Sequence, residues 1–233
     1  MFIPMKKVLK LGLNSMKLGK LIIRLATKLG GAVMVFTAEQ LLKENRRRTR
    51  SVRSTSMGIR KYKMARQIPE DYIVLDFETT GPRPGADRII QIGAIKYINN
   101  EKTEVYYTLI NPRRYIPHDV TKRTTITNYL VEDAPFIEDK INELIDFIEG
   151  LPIVTHNASL HMNFLYAIEH MEGVEIPAFK VIDTARLARK SLSGFTHQKL
   201  EQLTTYLQLE YEAQDTISNC EAIHNIYQLC TTK

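Results

Sequence analysis

Two carboxylates stand two residues apart where a short apolar run ends. Asp76 and Glu78 follow the run Tyr-Ile-Val-Leu at 72–75, which is typical of a buried strand. Side chains at positions i and i+2 of a strand point to the same side, so this pair can hold one hard divalent cation. An ordinary strand end before a Thr-Thr-Gly turn is the alternative. The pair alone does not decide between a metal site and a turn.

The residue pattern also predicts the strands and helices that position this pair. Residues 88–98 and 103–110 are rich in Ile, Tyr and Val and predict two further strands, with Asn99 and Asn100 at the turn between them. Residues 152–155 predict a fourth strand, which leads into a helix from about residue 158. Apolar spacing and capping residues predict further helices over 137–148, after Asp183, near 197–207 and near 215–230. This order of elements is that of a compact α/β domain.

Three ordered motifs resemble those of the DEDDh-type 3′–5′ exonucleases, a DnaQ-like family that includes replicase proofreading subunits and ribonuclease T. Residues 76–81 and 89–94 resemble the first motif. Residues 156–165 resemble the second, His-Asn-Ala-x-Phe-Asp-x-x-Phe-Leu, and residues 214–219 resemble the third, in which a His precedes an Asp by five residues. The resemblance covers roughly residues 70–230. It implies a ribonuclease H-like α/β domain, with a mixed sheet of about five strands flanked by helices and the site at the strand ends.

The resemblance also implies roles for individual residues. In this family four carboxylates hold two Mg or Mn ions that activate a water, and a His removes a proton from that water. The catalytic positions fall on Asp76, Glu78, His161, Gln214 and Asn219, and the positions able to contact metal fall on Asp76, Glu78 and Asn219. The substrate-binding positions fall on Thr79, Thr80, Gly81, His156, Asn157, Phe164 and His197.

Three of the five catalytic positions depart from the family pattern. His161 and Asn219 stand where the family has Asp, and Gln214 stands where it has His. A Gln side chain cannot act as a general base, and losing that base alone costs about 10²–10⁴ in rate. Imidazole is a poor ligand for magnesium. We therefore expect an impaired exonuclease that still binds nucleic acid 3′ ends, DNA or RNA. The alternative is an active exonuclease with a rearranged metal site, and a more distant alternative is an adaptor that associates with a membrane surface through a basic amphipathic N-terminal helix.

Neighbouring residues offer compensation at the substituted positions. An imidazolium at His161 would replace part of the missing metal charge, and the alternative is a partly exposed helix residue of no consequence. Asp215 lies four residues before Asn219 and is either a substitute ligand or a solvated acid in the first helical turn. Residues 123–127 read Arg-Thr-Thr-Ile-Thr where Leu-Thr-Gly-Ile-Thr is usual. His224 is predicted to lie on a helix surface.

The N-terminal part of the chain has a different composition from the rest. Residues 1–70 contain 17 Lys and Arg against three acids, whereas residues 71–233 contain 15 against 23. We therefore predict a basic extension over 1–68, made of an amphipathic helix at 5–29 and an Arg-rich flexible linker at 45–66, before an exonuclease-like domain over 69–233. The extension can contact nucleic acid phosphates, lie on an anionic membrane surface, act as an organellar presequence, or pack on the domain and solubilise it.

The composition of the chain limits the cellular compartments that we expect for the protein. No uninterrupted apolar stretch reaches the roughly 18 residues that span a bilayer, and lysines interrupt residues 5–29 too often for a secretory signal. The two cysteines, Cys220 and Cys230, give neither a disulfide framework nor a paired metal motif. This cysteine usage fits a reducing compartment, and we expect a cytoplasmic protein.

Overall fold

The computed structural model describes residues 61–171, 174–192, 199–212 and 215–231, together with two short strands near the N-terminus. The chain divides into two compact units, Met1–Ile59 and Arg60–Lys233. In the first unit, β1 (Lys28–Leu29) pairs antiparallel with β2 (Ala32–Val33). The end of the helix predicted over 5–29 is therefore wrong, because its last two residues are extended and paired with a second strand. The rest of that helix lies outside the described residues.

The described part of the second unit contains a six-stranded mixed sheet. Its strands, in chain order, are β3 (Lys63–Met64), β4 (Tyr72–Thr79), β5 (Ile89–Ile98), β6 (Glu101–Leu109), β7 (Ile153–Thr155) and β8 (Lys180–Asp183). The spatial order is β3-β8-β7-β4-β5-β6. β4, β5 and β6 form an antiparallel meander, and β7, β8 and β3 continue the sheet in parallel pairings. This is the ribonuclease H-like α/β architecture.

The first strand of this sheet comes from the segment predicted as a flexible linker. Lys63 and Met64 pair in parallel with Lys180 and Val181 of β8, and Tyr62 is buried. The linker prediction is wrong over residues 61–66, because the charge of the segment obscured an alternation of basic outward residues with inward Tyr62 and Met64. The compact unit begins at Arg60 rather than at residue 69.

Helices cover both faces of the sheet. They are α1 (His118–Thr124), α2 (Ile137–Ile148), α3 (Ala158–Tyr166), α4 (Thr184–Ser191), α5 (Leu200–Leu207) and α6 (Thr216–Thr231). On β4, Leu75 and Phe77 belong to the core cluster with residues of α2 and α3, whereas Val74 belongs to a second cluster with residues of α6. This alternation turns Asp76 and Glu78 toward the α6 side. None of the described helices is long and apolar enough to cross a membrane.

Candidate active site

Three side chains from different parts of the fold cluster around the carboxylate of Asp76. The amide nitrogen Nδ2 of Asn219 donates a hydrogen bond of 2.9 Å to Oδ2 of Asp76. Nε2 of His161 lies 3.5 Å from the other oxygen, Oδ1. The hydroxyl of Tyr211 donates to Oδ1 of Asn219 over 2.8 Å. Asp76, His161 and Asn219 are each at most 8% exposed, so the structure brings these three predicted catalytic residues together in a buried cluster.

A glycine allows helix α6 to approach the sheet closely enough to deliver Asn219. Gly93 lies directly opposite Asp76 in the antiparallel pairing of β4 and β5. A Cβ atom at Gly93 would stand 2.5 Å from Oγ1 of Thr216, the first residue of α6. Any side chain at position 93 would therefore push the helix away. Asn219 follows Thr216 by about one turn and projects from the same end of α6 toward Asp76.

Helix α3 places His161, and the carboxylate of Asp183 fixes the start of that helix. Asp183 accepts hydrogen bonds of 3.2 Å from the backbone amides of Asn157 and Ala158. It also caps α4, as the sequence predicted, by accepting from the amides of the second and third residues of that helix. His161 is 8% exposed and its ring centre lies 5.7 Å from that of Phe77. His161 is therefore buried and not partly exposed, and its role in the site stays a prediction.

Burial is the largest cause of the pKa shifts of the carboxyl groups of Asp76 and Glu78. It raises the pKa of Asp76, and the charge of His161 and the hydrogen bond from Asn219 oppose that rise only in part. Burial, followed by the nearby charge of Asp76, raises the pKa of Glu78 to about 8, although the guanidinium of Arg123 acts in the opposite direction. Glu78 is therefore largely protonated at neutral pH in the metal-free protein.

The donor atoms of this cluster do not match a two-metal site. Both oxygens of Asp76 face nitrogen atoms, and the oxygen of Asn219 already accepts from Tyr211. Burial and then the charge of Asp76 raise the pKa of Tyr211 to about 12, so its hydroxyl keeps the proton that it donates. Within the described residues, no three acidic, His or Cys side chains form a group that could hold a metal ion. Magnesium, which prefers several oxygen ligands in octahedral geometry, is poorly served by this arrangement.

The Thr-Thr-Gly segment predicted to bind substrate is an ordered loop with internal hydrogen bonds. Oγ1 of Thr79 donates to the carbonyl of Gly81 over 2.8 Å, and Oγ1 of buried Thr80 accepts from the amide of Arg88 over 3.0 Å. A Cβ atom at Gly81 would stand 2.7 Å from the carboxylate of Asp87, which is itself buried. A side chain at position 81 would therefore displace Asp87 and open the loop.

The remaining predicted substrate-binding residues lie in several places. His156 is buried, and its Nδ1 lies 3.0 Å from Oγ1 of Thr184. Asn157 adopts a left-handed conformation, with φ of 63°, at the N-cap of α3. Phe164 is buried within the core cluster between the sheet and α3. His197 and Gln214 lie outside the described residues, so their substrate-binding and catalytic roles stay predictions.

The sequence analysis assigned no role in the site to two residues that the structure places near it. Tyr211 lies in an irregular segment before α6 and matches no motif, and only the fold shows that it reaches Asn219. Arg123 was visible only as a departure from the usual motif, without a partner assigned to it. Oδ2 of Asp215 accepts from the backbone amide of Ser218 at the start of α6. This contact favours the first-turn acid over the substitute metal ligand.

The fold and these motifs define a class of protein: residues 73–224 match the family described as "Exonuclease", and the chain belongs to that family. The 3′-5′ exonuclease DinG of Bacillus subtilis is 34% identical over 142 residues, which are 60% of this chain and 15% of the relative. A DNA polymerase III subunit epsilon-like protein of Rhodobacter capsulatus is 33% identical over 161 residues, 65% of this chain and 23% of the relative. The chain thus spans less than a quarter of the length of either relative.

Solved exonuclease structures share the fold. Exonuclease X in complex with 5′ overhanging duplex DNA aligns with a TM-score of 0.54 and 23% identity, covering 69% of this chain and 93% of that one. Escherichia coli exonuclease I in complex with a dT13 oligonucleotide aligns with a TM-score of 0.61 and 17% identity, covering 70% and 41%. At these identities the likeness supports the fold and not the details of the site.

Proposed function

We propose that this chain binds the 3′ ends of nucleic acids and is impaired in the hydrolysis that its family performs. One observation carries the proposal: both oxygens of Asp76 are engaged by nitrogen atoms, one from Asn219 and one from His161. The side chains at the family's metal-holding positions contact each other instead of leaving oxygen atoms directed at a shared metal. Mg or Mn binding, which the family uses, is weakened accordingly.

The chemistry of hydrolysis needs a group that takes a proton from water. The third motif offers Gln214 at that position, and a carboxamide cannot accept a proton at ordinary pH. Tyr211, a polar side chain of the described cluster, has a pKa of about 12 and remains protonated. The buried imidazole of His161 supplies a nitrogen in place of an anionic oxygen. These substitutions remove the groups that drive the reaction in the family.

Retained affinity for nucleic acid is supported by the relatives and by the charge of the chain. Among the solved structures that share the fold are complexes of exonucleases with DNA, and one is described as 3′-end-specific recognition of histone mRNA stem-loop by a 3′-exonuclease. The substrate is DNA or RNA. The 17 basic residues within 1–70 add a potential contact surface for phosphates.

The alternative, an active exonuclease with a rearranged site, is favoured by one observation. Glu78 has a pKa of about 8 and lies beside Asp76, so it is a carboxyl group that can exchange a proton near neutral pH. In that case Glu78 would take the role that the missing His performs in the family, and its replacement would abolish activity.

Digestion of a 3′-labelled oligonucleotide separates the two functions. We expect the purified protein, in Mg²⁺ or Mn²⁺, to digest the strand no faster than its Glu78→Ala variant does. The triple variant His161→Asp, Gln214→His and Asn219→Asp should gain activity that Glu78→Ala removes again. Single reversions should achieve little, because members of a catalytic unit act non-additively. Strong digestion by the original protein that depends on Glu78 would establish the rearranged enzyme instead.

A further inference from the structure

Two tyrosines and a leucine are exposed in the segment between β6 and α2. Tyr115 and Tyr129 are 71% and 83% exposed, and Leu130, which follows Tyr129 in the chain, is exposed as well. Large side chains that a fold leaves uncovered together are typical of a contact site for a ligand or a partner. None of the three belongs to the motifs that resemble those of the exonucleases, so the proposed function does not yet account for them.

Hydrogen bonds and apolar packing hold this segment in place. Oδ1 of Asn128 accepts from the backbone amide of Ile116 over 2.8 Å, and Nδ2 of Asn128 donates to the carbonyl of Ile116 over 3.3 Å. Ile116 is also buried in a cluster with Ile90 of β5. Tyr115 directly precedes Ile116 and Tyr129 directly follows Asn128, so this double contact brings the backbones of the two tyrosines close together. Both tyrosines therefore extend from neighbouring positions on an ordered surface.

The same segment borders the cluster around Asp76. Ile90, on which the segment packs, lies one residue from the pairing partner of Thr79 at the end of β4. Helix α1 lies within the segment, and its seven residues span about 10 Å. Burial raises the pKa of Glu78, and the guanidinium of Arg123 in the last turn of α1 opposes that rise, so its charge acts on the site. A strand with its 3′ end in the cluster therefore has this surface within reach of its next nucleotides.

Charge contributes little to this surface except at the end that faces the site. Residues 113–133 contain four Lys and Arg against three acids. At the end near the cluster, Nε of Arg123 donates to the carbonyl of Asp119 over 3.3 Å, and none of the described acidic residues forms an ion pair with its guanidinium. Arg123 can therefore contact a phosphate. The tyrosines offer apolar ring faces, and their hydroxyl groups can remain in water.

We propose that Tyr115 and Tyr129 form a stacking surface for unpaired bases of a single-stranded nucleic acid. The inference rests on the proposed function, because it takes the 3′ end of that strand to lie in the Asp76 cluster. Bases stack on aromatic side chains whatever their sequence, because every base has a flat π face. Bases within a duplex are already stacked on one another. The surface therefore favours a single strand or a 3′ overhang over a blunt duplex.

Fluorescence anisotropy of a 5′-labelled dT strand, in excess EDTA to prevent digestion, tests this surface in the full chain. We expect Tyr115→Ala and Tyr129→Ala each to weaken binding about fivefold or more, whereas Tyr115→Phe and Tyr129→Phe should retain it because the ring remains. The dependence of binding on salt should not change, because no charge is removed. Tyr206→Ala, at another exposed tyrosine on α5, is the matched control and should leave binding unchanged.

Strands that lack single bases show whether the contact is stacking. Abasic nucleotides, introduced one at a time from the 3′ end inward, should weaken binding by the original chain at a few positions. The same abasic positions should cost Tyr115→Ala or Tyr129→Ala less, because the ring that they would lose is already absent. The proposal is overturned if the folded Ala variants bind as tightly as the original chain, or if every abasic strand binds as the intact strand does. It is also overturned if the variants change only self-association, measured by light scattering.

A circular strand of the same composition tests the proposed function separately, because it has no 3′ end. Equal binding of circular and linear strands by the original chain contradicts 3′-end recognition, while weaker binding by the Ala variants still supports the stacking surface. Preference for the linear strand with no effect of the Ala variants supports 3′-end recognition and overturns the stacking surface. Absence of binding to either strand contradicts both.

Discussion

The amide of Asn219 donates to Asp76 in a place where neither group is open to water. A carboxylate at position 219 would bring two anionic oxygens to the 2.9 Å that now separates donor from acceptor. The cost of an uncompensated buried charge is about 3–5 kcal/mol, unless one group takes up a proton or a cation binds between them. The Asn219→Asp variant therefore tests whether the folded protein tolerates a second buried carboxylate beside Asp76 without a bound cation.

We expect Asn219→Asp to lower the unfolding temperature at pH 8, and added Mg²⁺ to restore part of the loss. Asn225→Asp, an exposed substitution on the same helix, is the matched control and should change stability by less than about 0.5 kcal/mol. The measurement is thermal unfolding with and without the metal. A variant as stable as the original in EDTA would mean that Asp76 and residue 219 share a proton without penalty.

The raised pKa of Glu78 predicts that the stability of the protein without bound metal depends on pH. The pKa of Glu78 in the folded protein, about 8, lies above the ordinary value of 4.5 expected in the unfolded chain, so the folded protein keeps a proton on Glu78 between these two pH values. Stability contributed by the neutral side chain is fully present below about pH 4.5 and is lost as the pH rises through about 8. Urea unfolding from pH 5 to 9 should show this loss, and Glu78→Gln should flatten the curve. Glu101→Gln, at an exposed strand residue, should not.

At the scale of elements, α1 ends in a conformation that its sequence does not favour. Thr125, the C-cap residue, has φ of 58°, a left-handed region that β-branched residues rarely adopt and glycine adopts freely. We expect Thr125→Gly to increase the free energy of unfolding by about 1 kcal/mol. Thr121→Gly, inside the same helix, should decrease it by a similar amount. Chemical unfolding measures both, and destabilisation by Thr125→Gly would mean that the hydroxyl contact with the carbonyl of Thr124 outweighs the strain.

Local signals predicted some elements well because the cause lay within a few residues. Asn99 and Asn100 both have positive φ, as the two-residue hairpin turn between β5 and β6 requires, and Asp183 caps the helix that follows it. The strand at 63–64 was missed because its pairing partner lies more than a hundred residues away. The same reason explains the error at His224, whose ring stacks 3.9 Å from that of Tyr97 instead of lying free on a helix surface.

The sequence predicted those residues of the candidate site that lie within the three motifs. The order of the motifs was enough to predict that Asp76, His161 and Asn219 lie close together, because it fixes which strand and helix ends meet. It could not predict which atoms face each other, so the hydrogen bond from Tyr211 and the direction of the Asn219 amide had to come from the fold. The raised pKa of Glu78 arises first from burial, which no single motif encodes.

At the scale of the whole molecule, charge is divided unequally along the chain. Residues 1–59 contain 13 Lys and Arg against two acids, and the unit from Arg60 onward carries an excess of acids. Basic residues that contact phosphates release counterions, so the binding constant falls with salt by a logarithmic slope of about −0.7 for each phosphate contacted on a single strand. Such contacts carry no sequence information.

We expect deletion of residues 1–59 to weaken oligonucleotide binding and to flatten its salt dependence, without changing the preference among sequences. In the full chain, replacing Arg46, Arg47, Arg48 and Arg50 with Gln should reproduce part of both effects. Replacing the exposed Arg186, Arg189 and Lys190 of α4 with Gln is the control for a general loss of charge. Fluorescence anisotropy over a series of salt concentrations measures the slope. If the deletion leaves oligonucleotide binding intact and instead abolishes binding to anionic liposomes, the basic extension contacts membrane surfaces rather than nucleic acid.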